Sequence, residues 1–176
     1  MTGGECLRKL AARALVREHR GALLEAVGPH QYGAGRPGGA ETLVRAVQVV
    51  AAARPDHAWV QLDVANAFPS VSRRAVLDAG AEHAPALLPL AETFLRRTSS
   101  FVYLDATGRG VPLQAPLGVE QGDVLGPLLF AMAFRAPLER LRRKLVDLLQ
   151  TEHGFSPEDA DAAVVLGAYL DDVLVG

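Results

Sequence analysis

The chain has 176 residues, 49% of them apolar, and a net charge of −2, which indicates one folded domain or a compact part of a larger protein. Its single cysteine excludes an internal disulfide, and no apolar run approaches the roughly 18 residues of a membrane span. The N-terminal segment lacks the apolar core of a secretory signal. We therefore expect an intracellular location, nuclear or cytoplasmic, and no membrane partner.

Apolar residues at helical spacing predict two helices near the start of the chain, over residues 5–27 and 40–53. Between them, residues 31–39 are expected to form a glycine-rich loop. The later elements are expected in this order: a strand at His57–Asp63, helices at about 72–80 and 85–97, a hairpin over 99–114, a helical region over 123–149, and a second hairpin over 162–176. Antiparallel strands clustered beside helices indicate an α+β fold.

The long helical region carries its own expectations. Pro137 should kink or divide it, because proline has no amide hydrogen to donate. After it, Ser156 followed by Pro157 predicts the start of a further helix. A stripe of leucines is expected to face the core: Leu138, Leu141, Leu145 and Leu148.

Three aspartates stand out because their sequence neighbours are apolar. Asp63 closes the first strand, and Asp171 and Asp172 lie between two apolar segments. No Lys or Arg lies within ten residues of Asp171, so the compensating charge is either distant in sequence or a metal ion. Mg²⁺ is the natural candidate, because it prefers carboxylate and phosphate oxygens. Each aspartate alone is also typical of a turn, a helix cap or a solvated loop, and that alternative stays open.

Three segments, in order along the chain, resemble the palm motifs of reverse transcriptases. The first is Asp63-Val64-Ala65-Asn66-Ala67-Phe68, an aspartate followed five residues later by an aromatic. The second is Gly118–Phe130, in which Gln121-Gly122 precede a Gly126-Pro127 helix entry. The third is Ala168-Tyr169-Leu170-Asp171-Asp172, a Tyr-x-Asp-Asp hairpin. Upstream, Gln31-Tyr32-Gly33 and Gly38-Gly39-Ala40-Glu41 resemble the fingers segment of non-LTR retrotransposon enzymes, so the resemblance covers nearly the whole chain.

The resemblance implies a metal site. Asp63 and Asp171 would bind two Mg²⁺ ions, for which Mn²⁺ can substitute, and Asp172 would complete the site. The backbone carbonyl of Val64 would add a ligand.

The resemblance also implies a substrate site. Phe68 would lie under the incoming sugar, where a ribose 2′-hydroxyl would clash with the ring. Gln121 and Gly122 would line the nucleotide and template pocket, and Tyr169 would lie beside the primer end.

The implied architecture is that of a polymerase. Residues 1–56 would be a partial, mostly helical fingers region, and residues 57–176 a palm with helices packed on one face of a small antiparallel sheet. The sequence contains neither the Arg-Pro element of the fingers nor the later palm motifs and thumb. We expect these missing segments to belong to a longer polyprotein, and we expect this chain alone to be inactive.

We therefore expect a fragment of an RNA-directed DNA polymerase that adds dNTPs to a DNA primer on an RNA template. The alternative is a non-catalytic retroelement remnant that acts as a binding or interaction module. A group II intron-type or telomerase-like lineage also stays open. The net charge of −2 is unusual for a nucleic-acid binder. We attribute it to the expected absence of the thumb and of part of the fingers, because most of the basic surface of a polymerase belongs to the missing parts.

Overall fold

The computed structural model describes the backbone of residues 3–120 and 122–176, with side chains from Cys6 onward. It has a mixed α+β architecture, as the sequence predicts at that level of detail. A three-stranded antiparallel sheet and a separate two-stranded hairpin lie among the helices.

The N-terminal helix is divided where one helix was predicted. Helix α1 spans Gly3–Glu18 and α2 spans Arg20–Ala26. At His19 the backbone leaves helical geometry, with φ −101° and ψ 16°. The amide of Leu23 still donates to the His19 carbonyl at 3.0 Å, so the break is a local change of direction rather than a loop.

Helix α3, Gly39–Ala53, confirms the second predicted helix. Its predicted apolar face is only partly buried, since Leu43 is buried whereas Val44 is 55% exposed. Leu43 packs against Gly167, where a Cβ atom would lie 2.4 Å from the leucine Cδ1. That glycine therefore allows α3 to lie close against the sheet.

The middle of the chain alternates short elements. Ser72 begins one helix by accepting a hydrogen bond from the amide of Ala75 at 3.3 Å. The first strand is shorter than the predicted His57–Asp63. In order, the elements are β1 Val60–Asp63, α4 Ala67–Ser70, α5 Arg73–His83, a 3₁₀ helix Pro85–Leu87, α6 Leu88–Leu95, β2 Ser99–Leu104 and β3 Gly110–Ala115.

The β2–β3 hairpin confirms the hairpin expected over 99–114. Its strands pair in register from Ser99 opposite Ala115 to Leu104 opposite Gly110. Both faces are open to solvent, and Tyr103 is 58% exposed.

Helix α7, Gly126–His153, runs without interruption through Pro137, so the helix is not divided there. Its first half packs on α5, the residues around Leu138 pack on the sheet, and the helix also contacts the next helix along the chain; this packing outweighs one missing backbone hydrogen bond. The expectation of a buried leucine stripe holds only at its start. Leu138 is 2% exposed, whereas Leu148 is 43% exposed.

The C-terminal hairpin follows the predicted helix start. Ser156 accepts a hydrogen bond from the amide of Asp159 at 3.1 Å and begins α8, Pro157–Ala163. Strands β4, Leu166–Tyr169, and β5, Asp172–Val175, then form the second predicted hairpin. The sheet order is β1-β5-β4, so β5 is the central strand.

One core cluster extends across the predicted boundary at residues 56 and 57. Leu23 and Val27 from the first segment belong to the same cluster as Val76 and Phe130 from the second. The division into fingers and palm stays a prediction. Among the described helices, none combines the length and apolar character needed to cross a membrane.

Candidate functional site

The three aspartates lie at one end of the three-stranded sheet. Asp63 and Asp172 are directly opposite each other on β1 and β5, and Asp171 precedes Asp172 in the turn from β4. Opposed residues of antiparallel strands have Cα atoms about 4.5–5.5 Å apart, and consecutive residues about 3.8 Å. The Cα atoms of Asp63 and Asp171 are therefore no more than about 9 Å apart. The fold brings the backbones of these residues to one end of the sheet, although Asp63 is distant in sequence from the other two.

A row of polar side chains crosses the sheet at this end. Asp172 is opposite Asp63 on one side and Tyr169 on the other. Directly opposed residues project from the same face, so these three side chains share one face. Asp63 and Asp172 are exposed, and Tyr169 is 40% exposed. Like charges directly opposite each other destabilise a strand pair, so a cation at this position would stabilise it.

The carboxylates have no protein partner among the described side chains, which are those of residues 6–120 and 122–176. No hydrogen bond or ion pair to Asp63, Asp171 or Asp172 side chains is formed there, and no three His, Cys, Asp or Glu side chains of that range are gathered into a metal cage. The donors are hard oxygens, which suit Mg²⁺. Because Mg²⁺ is usually held by one or two carboxylates together with substrate phosphates, this open set of donors fits it without a closed cage.

The carbonyl of Val64 has a partner of its own. It accepts a hydrogen bond from the amide of Ala67 at 3.2 Å, in the tight turn that follows β1. Asn66 in this turn has a positive φ of 52°, which asparagine tolerates better than most residues. A carbonyl oxygen has two lone pairs, so Val64 retains acceptor capacity for a ligand.

Phe68 is half-buried and belongs to the edge of the core. Its ring stacks on Phe130 of α7, with centroids 4.7 Å apart. One face of the ring is therefore occupied by protein, which fixes its orientation.

The loop before α7 is hydrogen-bonded to the segment that contains Phe68. The amide of Gly118 donates to the Val71 carbonyl at 2.8 Å, and the amide of Val119 donates to the Phe68 carbonyl at 2.9 Å. The first and second motif segments are thus adjacent in space. Gln121 lies outside the described residues. Gly122 is exposed with φ +85°, and open space surrounds the position of a Cβ, so its backbone conformation rather than crowding favours glycine.

Arg8 connects the same loop to α1. Its guanidinium contacts Asp123 at 2.5 Å and Glu120 at 3.3 Å, and it lies 4.4 Å from the centroid of the Phe94 ring. Burial lowers the pKa of Arg8, but the hydrogen bonds and attraction from the two carboxylates outweigh burial and raise it. Arg8 is thus a fixed positive charge beside the loop.

Sequence reasoning did not predict the burial of two polar residues, nor the ion pairs of Arg8. Gln31 is 0% exposed and Arg73 is 7% exposed. Both make several hydrogen bonds to backbone atoms distant in sequence. No local pattern separates them from exposed polar residues such as Arg74, because burial here depends on tertiary contacts.

A large groove lies elsewhere in the described part of the chain. It has a volume of about 820 Å³ and is lined by α7, α8 and the opposite ends of the strands, including Val60 and Val175. None of the three aspartates lines it. We place the candidate site at the aspartates, because the register collects charged groups there, whereas none of those groups lies in the groove.

Comparisons of the chain with protein-family models, with curated proteins and with solved structures give no significant match.

Proposed function

We propose that this chain carries the nucleotidyl-transfer site of a reverse transcriptase, which extends a DNA primer on an RNA template. The observation that carries the proposal is the register that sets Asp63 opposite Asp172, beside Asp171. These are the three aspartates of the segments that resemble the family, and the fold places them at one end of one sheet. A second support is the pair of hydrogen bonds that joins the Phe68 segment to the Gly118 loop.

In the proposed reaction, the primer 3′-hydroxyl loses its proton to solvent, its oxygen bonds to the α-phosphorus of a dNTP, and the bond to the bridging oxygen breaks to release pyrophosphate. Bound Mg²⁺ would supply the positive charge that stabilises the attacking and leaving oxygens. Asp63, Asp171 and Asp172 would hold that charge at the end of the sheet, and the Val64 carbonyl would contribute one lone pair. Asp63 and Asp172 are fixed relative to each other by backbone pairing, which preserves their spacing without a closed cage.

Phe68 suits the proposed exclusion of ribose because its ring is not free to move aside. The contact with Phe130 supports one face, and the backbone of Phe68 is bonded to Val119. A ring held in this way excludes a 2′-hydroxyl by volume. Tyr169, in the same row as Asp172, would present its exposed ring toward the primer end.

Local binding of Mn²⁺ tests the proposal without requiring turnover by this chain alone. Paramagnetic Mn²⁺ broadens the NMR signals of nearby amides, and we expect broadening to be strongest at residues 63–64 and 169–173. A dNTP should strengthen the effect, because its phosphates complete the coordination. Asp171→Asn should remove it, whereas Asp147→Asn, at an exposed carboxylate on α7, should leave it unchanged.

Broadening distributed over exposed carboxylates generally, with the same pattern in Asp171→Asn, would contradict the proposal. That result would favour the alternative of a retroelement remnant that acts as an interaction module.

A further inference from the structure

Gln31 is a buried amide that contacts the turn between β4 and β5. Its side chain is 0% exposed, although it lies in the glycine-rich loop that precedes α3. The Oε1 atom accepts hydrogen bonds from the amides of Leu170 at 2.7 Å and Gly33 at 2.9 Å, and Nε2 donates to the Leu170 carbonyl at 3.1 Å. Three hydrogen bonds made by a fully buried side chain indicate a specific contact of the folded core rather than a chance contact at the surface.

These bonds hold both peptide planes that flank Leu170. The Leu170 amide belongs to the plane shared with Tyr169, and the Leu170 carbonyl belongs to the plane shared with Asp171. Peptide planes are rigid, so fixing both of them fixes the two dihedral angles of Leu170. The direction in which the chain enters Asp171 follows from those angles.

The conformation of Leu170 needs such support. Its φ is +57°, a region that residues with a Cβ atom rarely adopt. Two-residue hairpin turns with positive φ usually contain Gly, Asn or Asp. A leucine in this conformation persists when the surrounding structure holds it there.

The backbone around Gln31 also contacts β4. The Tyr32 amide donates to the Ala168 carbonyl, and the Ala168 amide donates to the His30 carbonyl, both at 2.7 Å. Residues 30–32 therefore form a short parallel pairing on the free edge of the sheet.

Gly33 completes the contact with the turn. A Cβ atom at this position would lie 2.6 Å from the Leu170 amide nitrogen and 2.8 Å from the Leu170 Cγ. Only glycine allows the loop to lie this close to the turn.

We infer that Gln31 is a positioning residue that sets the Leu170–Asp171 turn and thereby aims the carboxylates of Asp171 and Asp172 at the proposed metal ions. This inference rests on the proposed function. Gln31 itself is buried and contacts no substrate position, so it acts through the turn. Partners one step removed from metal ligands typically change metal affinity about 10–100-fold when they are removed.

The test compares three variants of the full chain. Gln31→Met keeps an unbranched side chain of similar size and removes all three hydrogen bonds. Gly33→Ala disturbs the same turn by placing a methyl group against the Leu170 amide and side chain. Val76→Ala, at a 0% exposed position in α5, lowers stability without removing a hydrogen bond of the turn and serves as the control.

Two measurements separate this inference from the proposed function. In Gln31→Met, hydrogen exchange of the Leu170 and Gly33 amides should become roughly tenfold faster, because each loses its acceptor. In both Gln31→Met and Gly33→Ala, the dissociation constant for Mn²⁺ at residues 63 and 171–172 should rise roughly tenfold. Val76→Ala should change neither the exchange rates of these two amides nor the dissociation constant for Mn²⁺ at these residues.

Unchanged exchange of the Leu170 and Gly33 amides in Gln31→Met would overturn the inference, whatever the dissociation constant for Mn²⁺ in that variant. A loss of Mn²⁺ affinity in Val76→Ala as large as that in Gln31→Met would overturn it too, because general destabilisation would then explain the effect. If the wild-type chain shows no Mn²⁺ binding at these residues, the proposed function and the aiming role of Gln31 both fail. In that case, faster exchange in Gln31→Met would leave Gln31 as a structural support of the turn.

Discussion

Arg73 and Gly118 are joined by a buried hydrogen bond, in which Arg73 Nε donates to the Gly118 carbonyl at 2.9 Å. The other two guanidinium nitrogens donate to the Arg97 carbonyl and to the Ser99 hydroxyl. Arg97 and Ser99 lie where the chain enters the β2–β3 hairpin, and Gly118 lies just after the chain leaves it. One side chain therefore holds both ends of this exposed hairpin and the start of the loop before α7.

Arg73→Met should destabilise the chain by roughly 2–4 kcal/mol, because the buried Gly118 carbonyl loses its donor, and the Arg97 carbonyl and Ser99 hydroxyl lose partly buried hydrogen bonds. Arg74→Met is the matched control. Arg74 is the next residue, its side chain is 85% exposed, and its ion pair with Asp78 is a surface pair. That substitution should cost no more than about 0.5 kcal/mol. Urea unfolding of both variants measures the difference, and equal losses would contradict the role of Arg73.

Gly118→Ala should be more damaging than Gly108→Ala. Both glycines have φ +80°, so both substitutions share the strain of a left-handed backbone, about 1–2 kcal/mol. Only Gly118 is also crowded, since a Cβ there would lie 2.4 Å from the Pro69 carbonyl oxygen, whereas a Cβ at Gly108 would meet open space.

We expect Gly118→Ala to cost about 1–3 kcal/mol more than Gly108→Ala in the free energy of unfolding. Because Pro69 adjoins Phe68, the NMR signals of the Phe68 ring should also shift in Gly118→Ala and not in Gly108→Ala. Identical unfolding curves for the two variants would contradict the prediction, because the loop at Gly118 would then accommodate the added methyl group without a further loss of stability.

Local signals predicted much of the fold. The Ser156-Pro157 helix start, the two hairpins and the loop of residues 31–39 depend on residues close in sequence, and the structure has each of them. The Asp171–Asp172 turn was also expected, because two apolar segments of strand length flank it. These features are set by turn and capping chemistry that a short window of sequence contains.

Features set by contacts between distant residues were not predicted. The continuity of α7 through Pro137 depends on packing along both halves of the helix, and the exposure of Leu148 depends on how far the sheet extends beneath it. The buried Gln31 looks like any polar residue of a glycine-rich loop until β4 is placed beside it. No register for Asp63 and Asp172 followed from the sequence, and only the family resemblance implied that Asp63 lies near Asp171 and Asp172, because strand order is a property of the whole fold.

His30 should make stability depend on pH below neutrality. Burial lowers its pKa from the usual 6.5, a hydrogen bond with the Leu166 backbone raises it, the charge of Arg142 lowers it and that of Glu139 raises it, with a net lowering. A histidine with a lowered pKa in the folded state favours folding with the ring neutral. Its contribution is therefore fully present above about pH 6.5, starts to fall as the unfolded chain becomes protonated, and is lost once pH drops below the folded pKa.

His30→Asn should remove this part of the pH dependence. Between pH 7.5 and pH 5, the urea midpoint of the wild-type chain should fall further than that of His30→Asn. Carboxylates and the other histidines affect both proteins alike, so the difference isolates His30. Parallel falls in the two midpoints would contradict the expectation.

The last prediction concerns two ion pairs that differ mainly in burial. Arg8 and Asp123 side chains are 18% and 14% exposed, whereas those of Arg45 and Glu41 are 74% and 68% exposed. Attraction between charges is stronger and less screened by salt where water is excluded. A double-mutant cycle with Arg8→Met and Asp123→Asn should therefore give a coupling energy of about 1–3 kcal/mol. The cycle with Arg45→Met and Glu41→Gln should give about 0.3–0.5 kcal/mol.

The contact of Arg8 with the Phe94 ring raises the cost of removing Arg8 alone, but it cancels in the cycle, because it is present with either residue at position 123. Raising NaCl from about 0.15 M to 1 M should remove most of the coupling energy of the exposed Arg45–Glu41 pair, since the Debye length falls from about 8 Å to about 3 Å. It should remove little of the coupling energy of the Arg8–Asp123 pair. Equal coupling energies, or equal sensitivity to salt, would show that Arg8 does not hold the loop before α7 to the first helix.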